Sequence, residues 1–142
     1  HGSCNSAVQS LGPQARRGGS GFGGKRAIRG MKLITALIRP HRLDDVRIVV
    51  ARIGLVGLTV TEVEEHGAGP PRTEVYRGAE YRYDWQPRVR IEIAVDDELT
   101  DQVVEAICNV ARTGRRGDGR LFVGQIDDAI RIRTGETGPA AL

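Results

Sequence analysis

The 142-residue chain has little of what builds a catalytic or metal centre. Its two cysteines, Cys4 and Cys108, form neither a disulfide framework nor a thiolate metal signature. Its three histidines, His1, His41 and His66, are scattered without ligand spacing. All serines lie within the first 20 residues, so no Ser-His-Asp constellation is open to the rest of the chain. Glu64-Glu65 and Asp127-Asp128 read as solvated surface charge rather than acid–base pairs. No apolar run approaches the roughly 18 residues that span a bilayer, and the N-terminal stretch lacks the apolar segment of a secretory signal. These absences point to a reduced, cytoplasmic setting, with no membrane embedding and no metal site.

The net charge of +3 would suggest a nucleic-acid partner, but its distribution argues against one. Residues 1–30 hold five basic residues, Arg16, Arg17, Lys25, Arg26 and Arg29, and no acid. Residues 31–142 hold 16 basic and 18 acidic residues, a balance of −2 that suits a phosphate backbone poorly. Residues 1–30 also contain eight of the 19 glycines and too little apolar sequence to build a core. That segment reads as a disordered tail or upstream sequence. Met31, the only methionine, reads as the native start of a single domain over residues 31–142.

Within the domain, Lys32 to Ile38 form a short apolar run stopped by Pro40, the pattern of a well-buried strand. Leu43, Val46, Val50 and Ile53 recur at helical spacing, Asp44 and Asp45 fall in the first turn, and Gly54 stands at the C-terminal cap. A second strand runs from about Leu58 toward Glu64. The clearest strand follows later, with Val89, Ile91, Ile93 and Val95 alternating with Arg88, Arg90, Glu92 and Ala94. Asp96 and Asp97 are placed to cap a second helix whose stripe is Leu99, Val103, Ala106, Ile107 and Val110. Cys108 lies beside that stripe as a small core or near-core residue. Leu121-Phe122-Val123 and Ala129 to Arg133 read as two closing strands. The order βαββαβ, with a short C-terminal strand, is that of an α+β, ferredoxin-like sandwich. Both helices then cover one face of the sheet, and apolar side chains on the other would favour self-association.

Two polar stretches carry the functional signal. Four of the six aromatics, Tyr76, Tyr81, Tyr83 and Trp85, crowd into residues 65–85. They are interleaved with Glu74, Arg77, Glu80 and Arg82 in a connection far longer than an ordinary hairpin loop, as in a loop built to touch a partner. The second stretch is Thr113-Gly114-Arg115-Arg116-Gly117-Asp118-Gly119-Arg120. Its glycines allow backbone N–H groups to converge on an anion, and its arginines add forked donors suited to phosphate. A helix cap followed by a tight turn would use the same glycines. Arg131 and Arg133, two apart in the expected last strand, would emerge on one face as a phosphate clamp.

Together these residues resemble the P-II nitrogen regulatory protein family from Met31 to Leu142. Tyr76-Arg77-Gly78-Ala79-Glu80-Tyr81 is similar to that family's T-loop signature. Thr113 to Arg120 with Leu121-Phe122-Val123 is similar to its C-terminal signature, although isoleucine or valine is usual where Leu121 stands. The resemblance implies a homotrimer that binds ATP or ADP between subunits. It also implies docking of the T-loop, here about residues 65–85, on an ammonium transporter or on a metabolic or signalling enzyme. By position, Gly117, Asp118, Gly119, Arg120, Arg131 and Arg133 would hold the phosphates, and Thr59, Glu92 and the backbone of Ala94 the adenosine. Tyr81 matches a tyrosine that some members have nucleotidylated. Tyr76, Arg77 and Glu80 would meet the partner.

The first half of the T-loop departs from the family. Ala68 stands where the family has a nucleotide-touching arginine, and Gly69 where a glutamine helps ligate magnesium. Pro70 and Pro71 replace a lysine and a glycine, and Arg88 replaces a lysine that pairs with 2-oxoglutarate. The expectation is a nucleotide-binding regulator with weakened magnesium and 2-oxoglutarate binding. It is not itself an enzyme beyond the slow ATP hydrolysis of some members. The alternative is a small nucleotide-phosphate hydrolase using the glycine–arginine loop.

Overall fold

Apolar alternation in the strands and apolar stripes on the helices meet in one layer of buried side chains. The computed structural model describes residues 30–67 and 69–142. The expected tail and Ala68 lie outside the described residues, Gly30 apart. Strand β1 (Met31–Ile38) leads through a single 3-10 turn at Pro40–Arg42 into helix α1 (Leu43–Arg52). Strands β2 (Thr59–His66), β3 (Arg72–Tyr76), β4 (Ala79–Tyr83) and β5 (Trp85–Asp96) follow, then helix α2 (Asp97–Ala111) and strand β6 (Gly119–Ile126). The main sheet is antiparallel in the order β2-β5-β1-β6.

One face of the sheet presents Ile34, Ala36, Ile38, Val89, Ile91, Ile93 and Val95 to Val46 and Val50 of α1 and Val103, Ile107 and Ala111 of α2. The alternation of β5 places these residues inside and its polar residues on the opposite face. That opposite face carries Leu33, Leu37, Val63 and Phe122 among Thr35, Arg88, Arg90 and Glu92. Among the described residues no helix covers it, as the ferredoxin-like reading requires.

The helix ends obey local chemistry. Gly54, with φ of 94°, lets its N–H reach the Ala51 carbonyl at 3.0 Å while Leu55 N–H reaches Val50 at 3.3 Å. That pair of bonds is a Schellman cap, and it closes α1 where the glycine predicts. At the start of α2, Asp96 takes the N-cap position without a side-chain capping bond, so the expected cap is positional only.

Two expectations change. The long polar connection is a hairpin, β3 paired with β4 through a two-residue turn at Arg77 and Gly78. Both turn residues have positive φ, 51° and 80°, the twist that suits a tight antiparallel hairpin. The absence of an apolar period concealed it, because every residue of both strands is exposed. The second change is at the C-terminus. Residues 129–133 do not form a strand; only Ile130 bridges to Thr137. Gly135 folds the segment back, so that Arg131 N–H meets the Glu136 carbonyl at 2.9 Å instead of a neighbouring strand. Ile132 consequently stands fully exposed.

Gly119 opens β6 with φ of 114°, and a Cβ there would lie 1.8 Å from the Leu37 carbonyl oxygen. Gly119→Ala should therefore destabilise the domain by more than the roughly 1–3 kcal/mol of an ordinary overpacked site. Gly124 lies in the same strand with open space around it, and Gly124→Ala should stay within about 0.5 kcal/mol of the parent. Urea unfolding of the two variants checks the contrast.

Candidate functional site

The glycine–arginine loop takes its shape from one carboxylate. Asp118 accepts hydrogen bonds from the backbone N–H of Thr113 at 2.8 Å and of Gly114 at 2.9 Å. It also accepts from the Thr113 hydroxyl and from Arg39 Nε at 3.2 Å. Arg39 spends its other arm on the Arg116 carbonyl at 2.9 Å, tying the loop to the end of β1. The Thr113 hydroxyl, ahead of the backbone donors and Arg39, holds the Asp118 carboxyl well below the usual carboxylate range, although partial burial opposes it. Gly114 and Gly117, with φ of 79° and 90°, supply the turns. Through these bonds Asp118 organises the loop.

Beside the loop opens a cleft of about 560 Å³. Arg39, His41, Arg72, Arg88, Arg115 and Arg116 line it with Gly69, Pro70, Pro71 and Gly117, and among the described residues no carboxylate lines it. Gln86 Nε2 donates to the Pro70 carbonyl at 2.7 Å, fixing the proline pair as one wall. Of the five arginines, Arg39 pairs with Asp118, Arg72 with Glu74 and Arg88 with Glu65, so the net positive charge of the concavity rests on Arg115 and Arg116, and it suits an anion.

Glu65 joins Arg88, which lines the cleft, to Arg120, which does not. Its Oε2 accepts from Arg88 Nε at 3.2 Å and its Oε1 from Arg120 Nη2 at 2.9 Å. Arg88 is 4% exposed and Glu65 13%, so this is a largely buried ion pair and not the solvated charge expected of Glu64-Glu65. Asp128 is not idle surface either; its Oδ1 accepts from Ala129 N–H at 2.8 Å and Gly138 N–H at 3.1 Å and shapes the C-terminal turn.

The other expected site residues fall in separate places. Thr59 lies directly across from Glu92, with Ala94 two residues further along β5, on the uncovered sheet face. Arg131 pairs with Glu136 at 2.7 Å and donates to the Leu142 carbonyl at 3.0 Å. Arg133 is exposed in the adjoining turn, so the expected strand-borne clamp is not formed. Of the nine expected nucleotide residues the basic cleft contains Gly117 alone; Asp118, Gly119 and Arg120 line a separate hollow between β1, β6 and α2, and Thr59, Glu92, Ala94, Arg131 and Arg133 line neither. Tyr76, Arg77, Glu80 and Tyr81 cluster at the hairpin tip, all exposed, with the Arg77 guanidinium 5.3 Å from the Tyr76 ring centroid. At the hairpin's root the rings of His66 and Trp85 meet edge to face, their centroids 5.1 Å apart.

Sequence reasoning missed Arg39, Thr113 and Glu65. The Thr113–Asp118 spacing across a glycine turn was a usable signal for a side-chain-closed loop. Nothing local distinguishes Glu65 from Glu64.

A model of the nitrogen regulatory protein P-II family matches residues 31–136. The nitrogen regulatory protein P-II of Rhizobium etli is 53% identical over 112 residues, covering 79% of this chain and all of that protein. The P-II 1 protein of Escherichia coli is 50% identical over the same lengths. Among solved structures, Bacillus subtilis GlnK is similar with a TM-score of 0.66 at 36% identity, covering 80% of this chain and 99% of the other. The PII of Arabidopsis thaliana bound to citrate also gives 0.66, at 32% identity, covering 80% and 94%.

The depressed Asp118 carboxyl sets a pH dependence. A group whose folded value is lowered stabilises the fold above its unfolded value, and that stabilisation is lost as pH falls through the folded value. Asp118→Asn should therefore lower the melting temperature near neutrality. It should also remove part of the wild-type loss of stability seen below about pH 4. Thermal melts of both proteins from neutral to acid pH measure both effects.

Proposed function

This chain belongs to the nitrogen regulatory protein P-II family and is a signal-transduction regulator, and from that premise we propose how its site is used. It binds ATP or ADP, with the phosphates taken by Gly117, Gly119 and Arg120 and by Arg131 and Arg133 of an adjoining copy. Thr59, Glu92 and the Ala94 backbone hold the adenosine. The observation that carries this reading is the glycine–arginine loop closed on its own aspartate, with Gly117, Arg115 and Arg116 on the wall of the adjoining cleft. The scatter of the remaining ligand groups over one chain, together with Leu33, Leu37, Val63 and Phe122 on the uncovered sheet face, supports a homotrimer that completes each site between copies. The hairpin tip, Tyr76, Arg77 and Glu80, meets a partner protein, an ammonium transporter or an enzyme, and Tyr81 is the modification candidate. The hydrolase alternative finds no support, since the carboxylate of the loop, Asp118, is fully engaged by its four donors.

Nucleotide binding does not couple strongly to 2-oxoglutarate. Gly69 brings no side-chain oxygen toward magnesium, and Pro70 and Pro71 bring no N–H toward a carboxylate. Arg88, the remaining positive anchor, already pairs with Glu65. The cleft nonetheless suits small polyanions, the class to which the citrate bound by the Arabidopsis relative belongs.

Light scattering should return three times the 15.4 kDa chain mass, and calorimetry should detect ATP binding to that species. Arg133→Ala should weaken ATP by about 1.5–3 kcal/mol, the range of a charge-assisted bond, without moving the melting temperature. A monomer mass, or unchanged affinity in the variant, overturns the intersubunit site. Titrating ATP and magnesium with and without millimolar 2-oxoglutarate should show less than a tenfold gain in affinity, about 1.4 kcal/mol. A larger gain overturns the weak-coupling reading.

A further inference from the structure

We propose that Glu65 is a built-in competitor for the anion site, a carboxylate that occupies Arg120 in the free protein and must release it when a phosphate-bearing ligand binds. The inference rests on the phosphate-site reading above and adds to it the residue that sets the affinity.

Glu65 stands near the end of β2, on the sheet face that also carries Val63 and Arg88. Arg120 reaches the same carboxylate across the same face from β6, the opposite edge strand of the sheet. The two halves of this bridge are unequal. Arg88 is buried, so its pairing with Glu65 is costly to break without leaving a charge in a low-dielectric setting. The Arg120 side chain is 65% exposed, and an ion pair at such a surface is worth little. A polyphosphate offers more charge and more acceptor oxygens than one carboxylate, and an arginine fork favours it. The ligand therefore takes Arg120, while Glu65 stays with Arg88.

Two consequences follow from this exchange. Affinity is reduced by the fraction of molecules in which Arg120 is already engaged. The root of the hairpin is also coupled to the ligand, since Glu65 immediately precedes His66, whose ring packs on Trp85 where β2 and β5 leave the main sheet. Removing Arg120 from Glu65 removes an ion pair that ties the end of β2 to β6.

The test uses inorganic tripolyphosphate and the full chain. Glu65→Gln keeps the shape and an acceptor oxygen but removes the charge, and should bind tripolyphosphate about two- to fivefold more tightly, the worth of one exposed ion pair. Glu64→Gln removes a charge from the adjacent exposed residue and should leave the affinity unchanged. Equal tightening in both variants, or none in Glu65→Gln, overturns the competitor role and leaves the phosphate site standing. Absence of binding by all three proteins overturns the site and the competitor together. If Glu65→Gln does not fold, amide exchange in the wild type decides the matter. Saturating tripolyphosphate should speed exchange over residues 63–67, and unchanged or slowed exchange there overturns the proposal.

Discussion

The basic cleft depends on the closure of the 113–118 loop around the Asp118 carboxylate. Arg39, Arg115 and Arg116 repel one another, and a glycine-rich segment loses more backbone freedom on ordering than any other. Four donors converging on one carboxylate offset both costs at a single point. Because Arg39 is one of the four, the loop is also fixed to the end of β1 and so to the core. Arg115 and Arg116 are then held in place on the cleft side, while Arg39 is paired with Asp118. An anion that enters meets donors already arranged, and less of its binding energy goes into ordering them.

Gly119 extends the same constraint into the sheet. It is the only residue type that can follow Asp118 so close to the Leu37 carbonyl and still start β6 in register with β1. The glycine that looks like a phosphate-approach device in the sequence is thus needed first for strand pairing. Loss of ligand binding at this position would report on the fold before it reported on the ligand. Arg133, exposed and outside the core, separates the two effects.

The core was legible because its signals are local and redundant. Ile34, Ile91, Ile93, Val103 and Ile107 sit where alternation and helical spacing put them, and Gly54 caps α1 by the mechanism its presence implies. The hairpin was not legible, since a two-stranded sheet with no buried face leaves no apolar period to read. The last strand was over-read for the opposite reason: Ile130 and Ile132 alternate like a strand, but one chain offers them no surface to bury against, and both are exposed. At the site, the loop's glycines and arginines were visible in sequence, whereas the roles of Arg39, Thr113 and Glu65 depend on contacts between segments distant along the chain. Glu64 and Glu65 show the limit most clearly. They are identical in type and adjacent, and sheet pleat alone sends one to solvent and the other onto a buried arginine.

The hairpin and the core divide the work of this molecule. A hairpin whose residues are all exposed gains almost nothing from the hydrophobic effect, and an isolated pair of strands is marginal in water. Its shape rests on ladder hydrogen bonds, a left-handed Arg77-Gly78 turn and a His66–Trp85 contact at its root. Each of these is small, so a partner surface that buries Tyr76, Val75 and Tyr81 can supply more free energy than the hairpin invests in its present form. The core cannot be remodelled so cheaply, because Ile34, Ile91, Ile93 and their neighbours are fully buried. A change of charge in the basic cleft therefore finds its least resistant outlet in the hairpin, whose root begins one residue beyond Glu65. The fold places the cleft beside the hairpin's root, at one end of β2 and β5, where Arg72 of β3 and Arg88 of β5 both line it, so a charge entering the cleft lies against the strands that carry the exposed tip.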